Sequence, residues 1–275
     1  MRRSRRWLPP LPMAGSLRSK AVHRLLVETG LLNEEAPTLP KDAARHLKVL
    51  RPEDGEGIEL FDGKGKWRAY RFERSGKETV SQLRAQSDIR TIERSNRSFT
   101  LFACVTKGSR WDWTVEKAAE LGVTRIVPVI SERTIVRIPK SERAAKHERW
   151  LRIVEDAARQ SDAKWIPEIC EAVDFADALS LAKDTTCFIG ALTTPPSPSL
   201  ARAIEDFRRK TEDAKGVSVF IGPEGDFTPE ELKALTEVAT PTSFGPTILR
   251  AETAAIFAVS VLASSLHRDG EGGPR

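Results

Sequence analysis

Apolar and polar positions alternate through much of the first third of the chain. The alternation recurs over 55–61, 66–73 and 79–85 and is typical of half-buried β-strands. The segment 62–65, Asp-Gly-Lys-Gly, separates the first two of these predicted strands and is typical of a hairpin turn. A short basic helix is predicted before them, over 43–51. Short strands joined by tight turns favour a small β-barrel.

Beyond a charged stretch at 87–97, which we interpret as a linker, apolar strands alternate with helices. This order predicts an α/β domain built on a mostly parallel sheet. The predicted strands are 98–105, 124–130, 186–192, 217–221 and a short one near 242–244. The predicted helices are 111–121, 141–160, 199–210, 229–239 and 252–266.

Two glycine–proline turns follow strands of this sheet. Gly222-Pro223-Glu224-Gly225 ends the apolar run that closes at Ile221, and Gly245-Pro246 precedes the last helix. Ligands of open α/β sheets bind beyond the carboxyl ends of the strands, and glycine lets a ligand approach the backbone closely. The two turns therefore predict one shared ligand pocket.

The last helix is apolar around nearly its whole circumference from Ala254 to Ala263. A surface helix keeps one polar face, so this helix is predicted to be covered on two sides. The sheet is one cover. The other is either a second subunit or the small N-terminal domain.

The composition is 40% hydrophobic and 30% charged over 275 residues, as in soluble globular proteins of one large or two ordinary domains. A net charge of +5 permits an RNA partner through phosphate contacts without requiring one. The three cysteines are far apart and the four histidines lack ligand spacing, which argues against disulfides and against a metal site. We expect a cytoplasmic protein without a membrane span.

The N-terminus carries four arginines within its first six residues, followed by an apolar stretch that prolines interrupt. We expect residues 1–20 to form a disordered basic extension. A transit peptide and a true start at Met13 are the alternatives.

Several polar and aromatic residues have more than one interpretation. Glu224 and Glu252 suit a general base, a ligand acceptor or a carboxylate at a helix N-terminus, and Arg250 suits an anion contact or an ion pair. Trp111 and Trp113 suit base stacking, although at least one is expected in the core. The glycines and lysines of 63–66 suit a hairpin turn far better than a phosphate cradle.

Taken together, these segments resemble the RsmE family of 16S ribosomal RNA methyltransferases, within the SPOUT superfamily. The likeness runs from about residue 22 to 265. Each motif alone is weak, whereas their order and spacing are specific. The matching segments are His46 with 49–51, 60–63, Lys107-Gly108, 116–123, Gln160-Ser161, 167–169, 221–225, and Gly245-Pro246 with 248–254.

The resemblance implies a PUA-like RNA-binding domain over 21–92 and a SPOUT α/β domain with a trefoil knot over 97–267, followed by a disordered tail at 268–275. It also implies a homodimer formed through the C-terminal helix and the knot region. Such an enzyme uses S-adenosylmethionine (SAM) to methylate N3 of one uridine, U1498, in the 16S RNA of the small (30S) ribosomal subunit.

The resemblance also suggests site residues. The cofactor-binding candidates are Leu192, Ile221, Gly222, Pro223, Gly225, Gly245, Ile248, Leu249, Arg250, Thr253 and Ala254. The RNA-binding candidates are Arg45, His46, Lys48, Arg51, Lys107, Gln160 and Lys164. For catalysis, Glu224 is the first candidate for the proton acceptor and Glu252 the second, and Arg250 is the candidate cation beside the uracil anion.

The chain departs from the family pattern at four positions. Asp226 replaces a usual glycine, Lys48 and Lys164 replace arginines, and Thr247 stands where arginine is common. We expect these changes to affect the contacts with RNA more than the methyltransferase activity, because lysine lacks the planar guanidinium with which arginine binds a phosphate at two points. The alternatives to the main hypothesis are a SPOUT enzyme for another ribosomal or transfer RNA site and a non-catalytic RNA-binding assembly factor.

Overall fold

A computed structural model describes residues 23–75, 80–94, 98–191, 197–210 and 216–266. The predicted N-terminal extension, the predicted tail and Leu192 lie outside the described residues. The chain divides into two compact units. One comprises Met1–Phe61 with Trp67–Arg90, and the other Asp62–Lys66 with Thr91–Arg275.

The smaller unit is built on a mixed five-stranded sheet with the strand order β1-β2-β3-β4 and β5 beside β3. β1 is parallel to β2, whereas β2 with β3 and β3 with β4 are antiparallel. The elements are β1 (His23–Leu26), a 3₁₀ turn (Thr29–Asn33), α1 (Lys41–Leu50), β2 (Gly57–Phe61), β3 (Lys66–Ser75), β4 (Val80–Ala85) and β5 (Arg90–Thr91).

The three predicted strands of this unit and its helix are confirmed, with small shifts of their ends. Ile58 and Leu60 of β2 point into the core and Leu47 of α1 packs with them, as the alternation predicts. α1 ends where Arg51 takes a left-handed conformation, with φ of 49°, and donates its N–H to the carbonyl of Leu47. β1 was not predicted, because four residues are too few to show a period.

The turn at 62–66 is a hairpin connection, as predicted, and not a phosphate cradle. One carboxylate oxygen of Asp62 accepts the N–H groups of Lys64, at 2.7 Å, and Lys66, at 2.9 Å. Gly65 has φ of +92°, and a methyl group on it would lie 2.4 Å from the carbonyl oxygen of Ile92. The turn therefore uses its own carboxylate to bind backbone donors that a phosphate would need.

The larger unit contains a parallel seven-stranded sheet with the order β12-β10-β11-β6-β7-β8 and β9 beside β7. Its strands are β6 (Ser98–Cys104), β7 (Arg125–Ile130), β8 (Glu168–Ile169), β9 (Val173–Asp174), β10 (Thr186–Gly190), β11 (Gly216–Ile221) and β12 (Ala239–Thr242). Its helices are α2 (Ser109–Glu120), α3 (Lys140–Ser161), α4 (Phe175–Ala182), α5 (Leu200–Lys210), α6 (Pro229–Val238) and α7 (Ala251–Leu266).

This α/β architecture confirms the predicted class. One face of the sheet packs on α2, α3, α5 and α7, and the other on α4 and α6. Three short elements were missed: β8 and β9 have two residues each, and α4 has eight. The last strand was misplaced, since β12 runs from Ala239 to Thr242 and not over 242–244.

α7 is covered mainly by its own unit. It packs on β6 and β11 and also on α2 and α5, and Ala258, Val259 and Leu262 are fully buried. Neighbouring helices of the same unit, α2 and α5, thus cover part of its circumference beyond the sheet, which the sequence analysis did not predict. Phe257 remains 37% exposed. Among the described residues, no helix is both long and apolar enough to cross a bilayer.

Candidate functional site

The two predicted turns leave the same edge of the parallel sheet. Gly190, the last residue of β10, is paired with Thr242, the last residue of β12. Ile221, the last residue of β11, is paired with Ala103 of β6. The carboxyl ends of four neighbouring strands therefore meet at one edge, the position where open α/β sheets bind ligands.

The first turn, after β11, has little conformational freedom. The N–H of Asp226 donates to the carbonyl of Pro223 at 3.0 Å. A methyl group on Gly222 would lie 3.1 Å from the ring of Phe227, which is tighter than ordinary packing. Asp226 itself has φ of 60°, and its carboxylate accepts the N–H of Phe227 at 2.8 Å. Glycine, the usual residue at this position in the family pattern, adopts a positive φ without cost. Asp226 has the same conformation, so the turn keeps its shape and gains a local hydrogen bond.

Arg133, on the segment after β7, braces this turn from outside. Its Nη1 donates to the carbonyls of Gly225, at 3.1 Å, and Phe227, at 3.4 Å. Sequence reasoning missed Arg133, because the segment 131–137 lies about ninety positions from the turn and shows no motif.

Glu231 joins the same two segments. It forms a capping box with Thr228 at the start of α6, and its buried carboxylate also accepts the N–H of Glu132 at 2.9 Å. The capping box has a sequence signature, Thr followed three residues later by Glu, so its position at least was open to prediction. The first turn is thus held between a helix cap and a neighbouring loop.

The second turn, after β12, is joined to the segment after β10. The N–H of Ala191 donates to the carbonyl of Thr242 at 3.0 Å, and the N–H of Ser243 donates to that of Pro198 at 2.8 Å. A methyl group on Gly190 would lie 2.7 Å from the ring of Phe244. The two segments therefore form one packed surface at the edge.

The remaining cofactor candidates line the path from this turn into α7. Ile248 is 86% exposed, and Leu249 is half-buried. The side chains of Arg250 and Thr253 are exposed, and the carbonyl of Arg250 accepts the N–H of Ala254 at 2.8 Å. Exposed apolar side chains beside a glycine-rich turn offer surface for an apolar ligand group.

The two candidate carboxylates occupy different environments. Glu224 lies at the surface, with Oε1 3.4 Å from Nη1 of Arg110. Oε2 of Glu252 is buried and has no hydrogen-bond partner among the described residues. It lines a narrow cavity with Ile221, Thr106 and Trp111. A buried acceptor without a donor is costly, and it suits a ligand that brings an N–H or a positive charge.

Cys104 lines the same cavity but is not a nucleophile. Burial raises the pKa of its thiol to about 11, against a smaller opposite effect of its hydrogen bond with Ser131. The thiol is therefore protonated at neutral pH. Within the described ranges, no group of three or more His, Cys, Asp or Glu side chains is arranged to hold a metal ion.

The RNA-binding candidates lie in both units. Arg45 and Lys48 of α1 are exposed, as is Arg51 directly after it, whereas His46 is half-buried. These four residues share one short basic element of the smaller unit.

In the larger unit, Lys107 and Gln160 are exposed. The ammonium of Lys164 is mostly buried and donates to Asp162 at 2.6 Å. Lys164 therefore already forms an ion pair within the larger unit.

Trp111 is buried edge-on against Trp150, and Trp113 is 43% exposed, so one of the two tryptophans, Trp111, is in the core as expected.

Comparison with known proteins identifies both parts of the chain. Residues 93–263 match the family model described as RNA methyltransferase domain, and residues 39–81 match RNA methyltransferase PUA domain. Two similar proteins are named ribosomal RNA small subunit methyltransferase E. The one from Synechocystis is 29% identical, and the match covers 86% of this chain and 76% of the relative. The one from Bacillus subtilis is 27% identical, and the match covers 83% of this chain and 91% of the relative.

Solved structures of similar proteins share the whole fold. A ribosomal RNA small subunit methyltransferase E from Neisseria gonorrhoeae, bound to SAM, is 29% identical with a TM-score of 0.74. A protein from Legionella pneumophila, in complex with the cofactor SAM, is 31% identical with a TM-score of 0.75. In both cases, 89% of this chain and 98% of the other are covered. The chain belongs to the RsmE family of RNA methyltransferases, with a PUA-like domain and a SPOUT α/β domain.

Proposed function

We propose that this protein is a SAM-dependent methyltransferase that modifies N3 of one uridine, U1498 in the family, in 16S ribosomal RNA. The observation that carries the proposal is the convergence of the two glycine–proline turns at one edge of the parallel sheet, in a chain of the RsmE family. An rRNA substrate in an assembling or complete 30S subunit places the reaction in the cytoplasm.

The residues at this edge fit SAM. Gly222 and Gly225 carry no side chain at either end of the first turn, and Ile221, Ile248 and Leu249 supply apolar surface for an adenine ring. The unpaired carboxylate oxygen of Glu252 fits a ligand with positive charge. The remaining candidates, Pro223, Gly245, Arg250, Thr253 and Ala254, contribute backbone around the same turns. When bound, SAM supplies an electrophilic methyl group.

The protein must remove the N3 proton of uracil or stabilise the resulting anion. A carboxylate accepts such a proton most effectively when it lies in a water-poor site. Glu252 has that environment, whereas Glu224 is partly exposed and paired with Arg110. We therefore propose Glu252 as the proton acceptor and Glu224 as a residue that shapes the turn. The guanidinium of Arg250 stabilises negative charge on the uracil oxygens.

Substitution separates these two carboxylate roles. Glu252→Gln keeps the shape of the side chain and removes the base, so we expect a large loss of kcat. Glu224→Gln is the matched control, and we expect a much smaller loss. Equal rates for wild type and Glu252→Gln in single-turnover methylation would contradict the assignment.

The smaller unit supplies cations for RNA. Arg45, Lys48 and Arg51 are exposed on one short element, and phosphate contacts of this kind orient a nucleic acid without determining its sequence. Lys107 and Gln160 add exposed polar groups in the larger unit. Charge-reversal of the three cations of the smaller unit should raise KM for RNA and leave SAM affinity unchanged.

The functional form is proposed to be a homodimer joined through α7 and the two turns. Large apolar side chains in this part of the larger unit are exposed: Trp113, at 43%, Ile248, at 86%, and Phe257, at 37%. Burial of such side chains is the main source of stability in permanent interfaces. Light scattering should give twice the mass of one chain, and Phe257→Glu should reduce it to one chain.

Mass spectrometry of ribosomal RNA from cells that lack the gene tests the function. The proposal expects the loss of one methyl group from one 16S uridine. Loss of a methyl group elsewhere in ribosomal or transfer RNA identifies a different SPOUT substrate, and unchanged RNA is the result for a non-catalytic assembly factor.

A further inference from the structure

A second cavity of the larger unit lies beside the narrow one, between the start of α2 and the side of α3. Its volume is about 230 Å³, and we call it the α2–α3 pocket. Thr106 and Trp111 line both cavities, so the α2–α3 pocket adjoins the edge where Glu252 lies. Its lining combines apolar side chains with a polar group: Thr106, Gly108, Ser109, Trp111, Asp112, Lys146 and Arg149.

Two buried side chains of the pocket have unsatisfied polar atoms. Thr106 is 4% exposed and Trp111 is 2% exposed. Neither Oγ1 of Thr106 nor Nε1 of Trp111 has a hydrogen-bond partner among the described residues. Native proteins pair nearly all buried polar groups, so two orphaned atoms at one cavity indicate a ligand. An indole N–H only donates, which requires an acceptor on that ligand.

The charges around the pocket favour an anion. Lys146 is exposed and forms no ion pair with any described residue. The negative charge of Asp112 is balanced by Arg149, at 2.5 Å. No side chain caps the N-terminus of α2, where Gly108 has φ of 65°. The N–H of Trp111 donates to the carbonyl of Gly108 at 3.3 Å, and the N–H groups of Ser109 and Arg110 remain available for an anion.

We propose that the α2–α3 pocket binds a backbone phosphate of the RNA substrate, close to the target nucleotide. The proposal rests on the proposed function for the identity of the RNA. A phosphate offers only acceptor oxygens and negative charge, which complements the donors of the lining and the cation of Lys146. A uracil base also needs an acceptor for its N3 proton, and Asp112, the acidic residue of this lining, is already bound by Arg149.

Nuclear magnetic resonance of the indole N–H groups tests this directly on the full-length protein without SAM. The Trp111 signal is assigned from its loss in Trp111→Phe. We expect inorganic phosphate and uridine 5′-monophosphate to shift this signal in a saturable manner, and uridine to leave it in place. An unchanged signal with both phosphates overturns the proposal, and so does an equal shift with uridine, which would make the pocket a base site.

Two substitutions separate binding from folding. Thr106→Val removes an unpaired hydroxyl, so we expect a higher Tm together with about tenfold weaker phosphate binding. The control is Thr114→Val on α2, since the buried hydroxyl of Thr114 donates to the carbonyl of Arg110 at 2.9 Å. That control should lower Tm and leave phosphate affinity unchanged. Equal phosphate affinity in wild type and Thr106→Val contradicts the proposal.

Steady-state methylation of 30S subunits distinguishes this inference from the proposed function. Lys146→Ala should raise KM for RNA while SAM affinity stays the same. If wild type methylates the RNA and both Lys146→Ala and Thr106→Val keep its KM, the pocket proposal alone is wrong. If phosphate binds as expected and no RNA is methylated, the proposed function alone is wrong.

Discussion

Removal of the Arg133 side chain should weaken SAM binding although Arg133 contributes no group to the cofactor surface. The guanidinium holds the first turn through the carbonyls of Gly225 and Phe227. Both carbonyls lie within or directly after the glycine–proline turn. In Arg133→Ala the turn loses this brace and samples conformations that do not bind, so the binding-competent fraction falls.

The magnitude follows from the two hydrogen bonds. A bond from a charged donor contributes about 1.5–3 kcal/mol. The distance to Gly225 is 3.1 Å, but the second bond is long, at 3.4 Å, and Arg133 is exposed to solvent. We therefore expect a loss of about 1–2 kcal/mol in SAM binding, or about 5–30-fold in Kd. The fold itself should lose little, because no buried group is left unpaired.

Calorimetric titration with SAM measures the effect, and thermal unfolding measures stability. Arg137→Ala is a matched control on the same loop. Arg137 donates to the carbonyls of Ser131, at 3.2 Å, and Glu132, at 2.6 Å, and not to the turn. Wild-type SAM affinity in Arg133→Ala, or an equal loss in both variants, would refute the role of Arg133 as a brace of the turn.

Three further predictions concern the same unit. Gly222→Val should abolish SAM binding in calorimetry, because its side chain would collide with Phe227 and fill the turn. Glu231→Ala should lower the free energy of unfolding by about 2–3 kcal/mol in urea titrations, since it removes the carboxylate that accepts the backbone N–H groups of Thr228, in the capping box, and of Glu132. Burial raises the thiol pKa of Cys104 and of Cys187 to about 11. The folded state therefore favours the neutral thiols, and this contribution to the free energy of unfolding is complete below about pH 8.5, the pKa of a thiol in the unfolded chain. The contribution is lost as the pH rises toward 11. Urea unfolding at pH 8 and pH 10 should show that fall, and a smaller one in Cys187→Ala.

Much of the fold follows from local sequence patterns. β11 and its Gly222-Pro223 turn were predicted because an apolar run meets residues that force a bend. α6 has a complete cap signature, Thr228 to Glu231, and its start was correct. The strands and helix that were missed are β1, β5 (inside the predicted linker), β8, β9 and α4, which are too short for their periodicity to be distinct from chance.

The site was only partly accessible to such reasoning. The two turns could be assigned to one edge of the sheet, because a parallel sheet brings its strand ends together. Arg133 could not be found, because its contact with Gly225 joins segments that only the fold brings together. The sequence analysis ranked Glu224 before Glu252 as the proton acceptor, and the burial of Oε2 of Glu252 favours the reverse order. The covering of α7 by α2 and α5 likewise depends on helix packing that local pattern does not encode.

Methylation of isolated ribosomal subunits tests the whole proposal. Small subunits from cells that lack the gene would be incubated with the purified protein and SAM, and the RNA digested to nucleosides for mass spectrometry. We predict one methyl group per 16S RNA, on N3 of a single uridine, and no product with Gly222→Val. Unmodified RNA, or a methyl group on another nucleoside, would contradict the assignment.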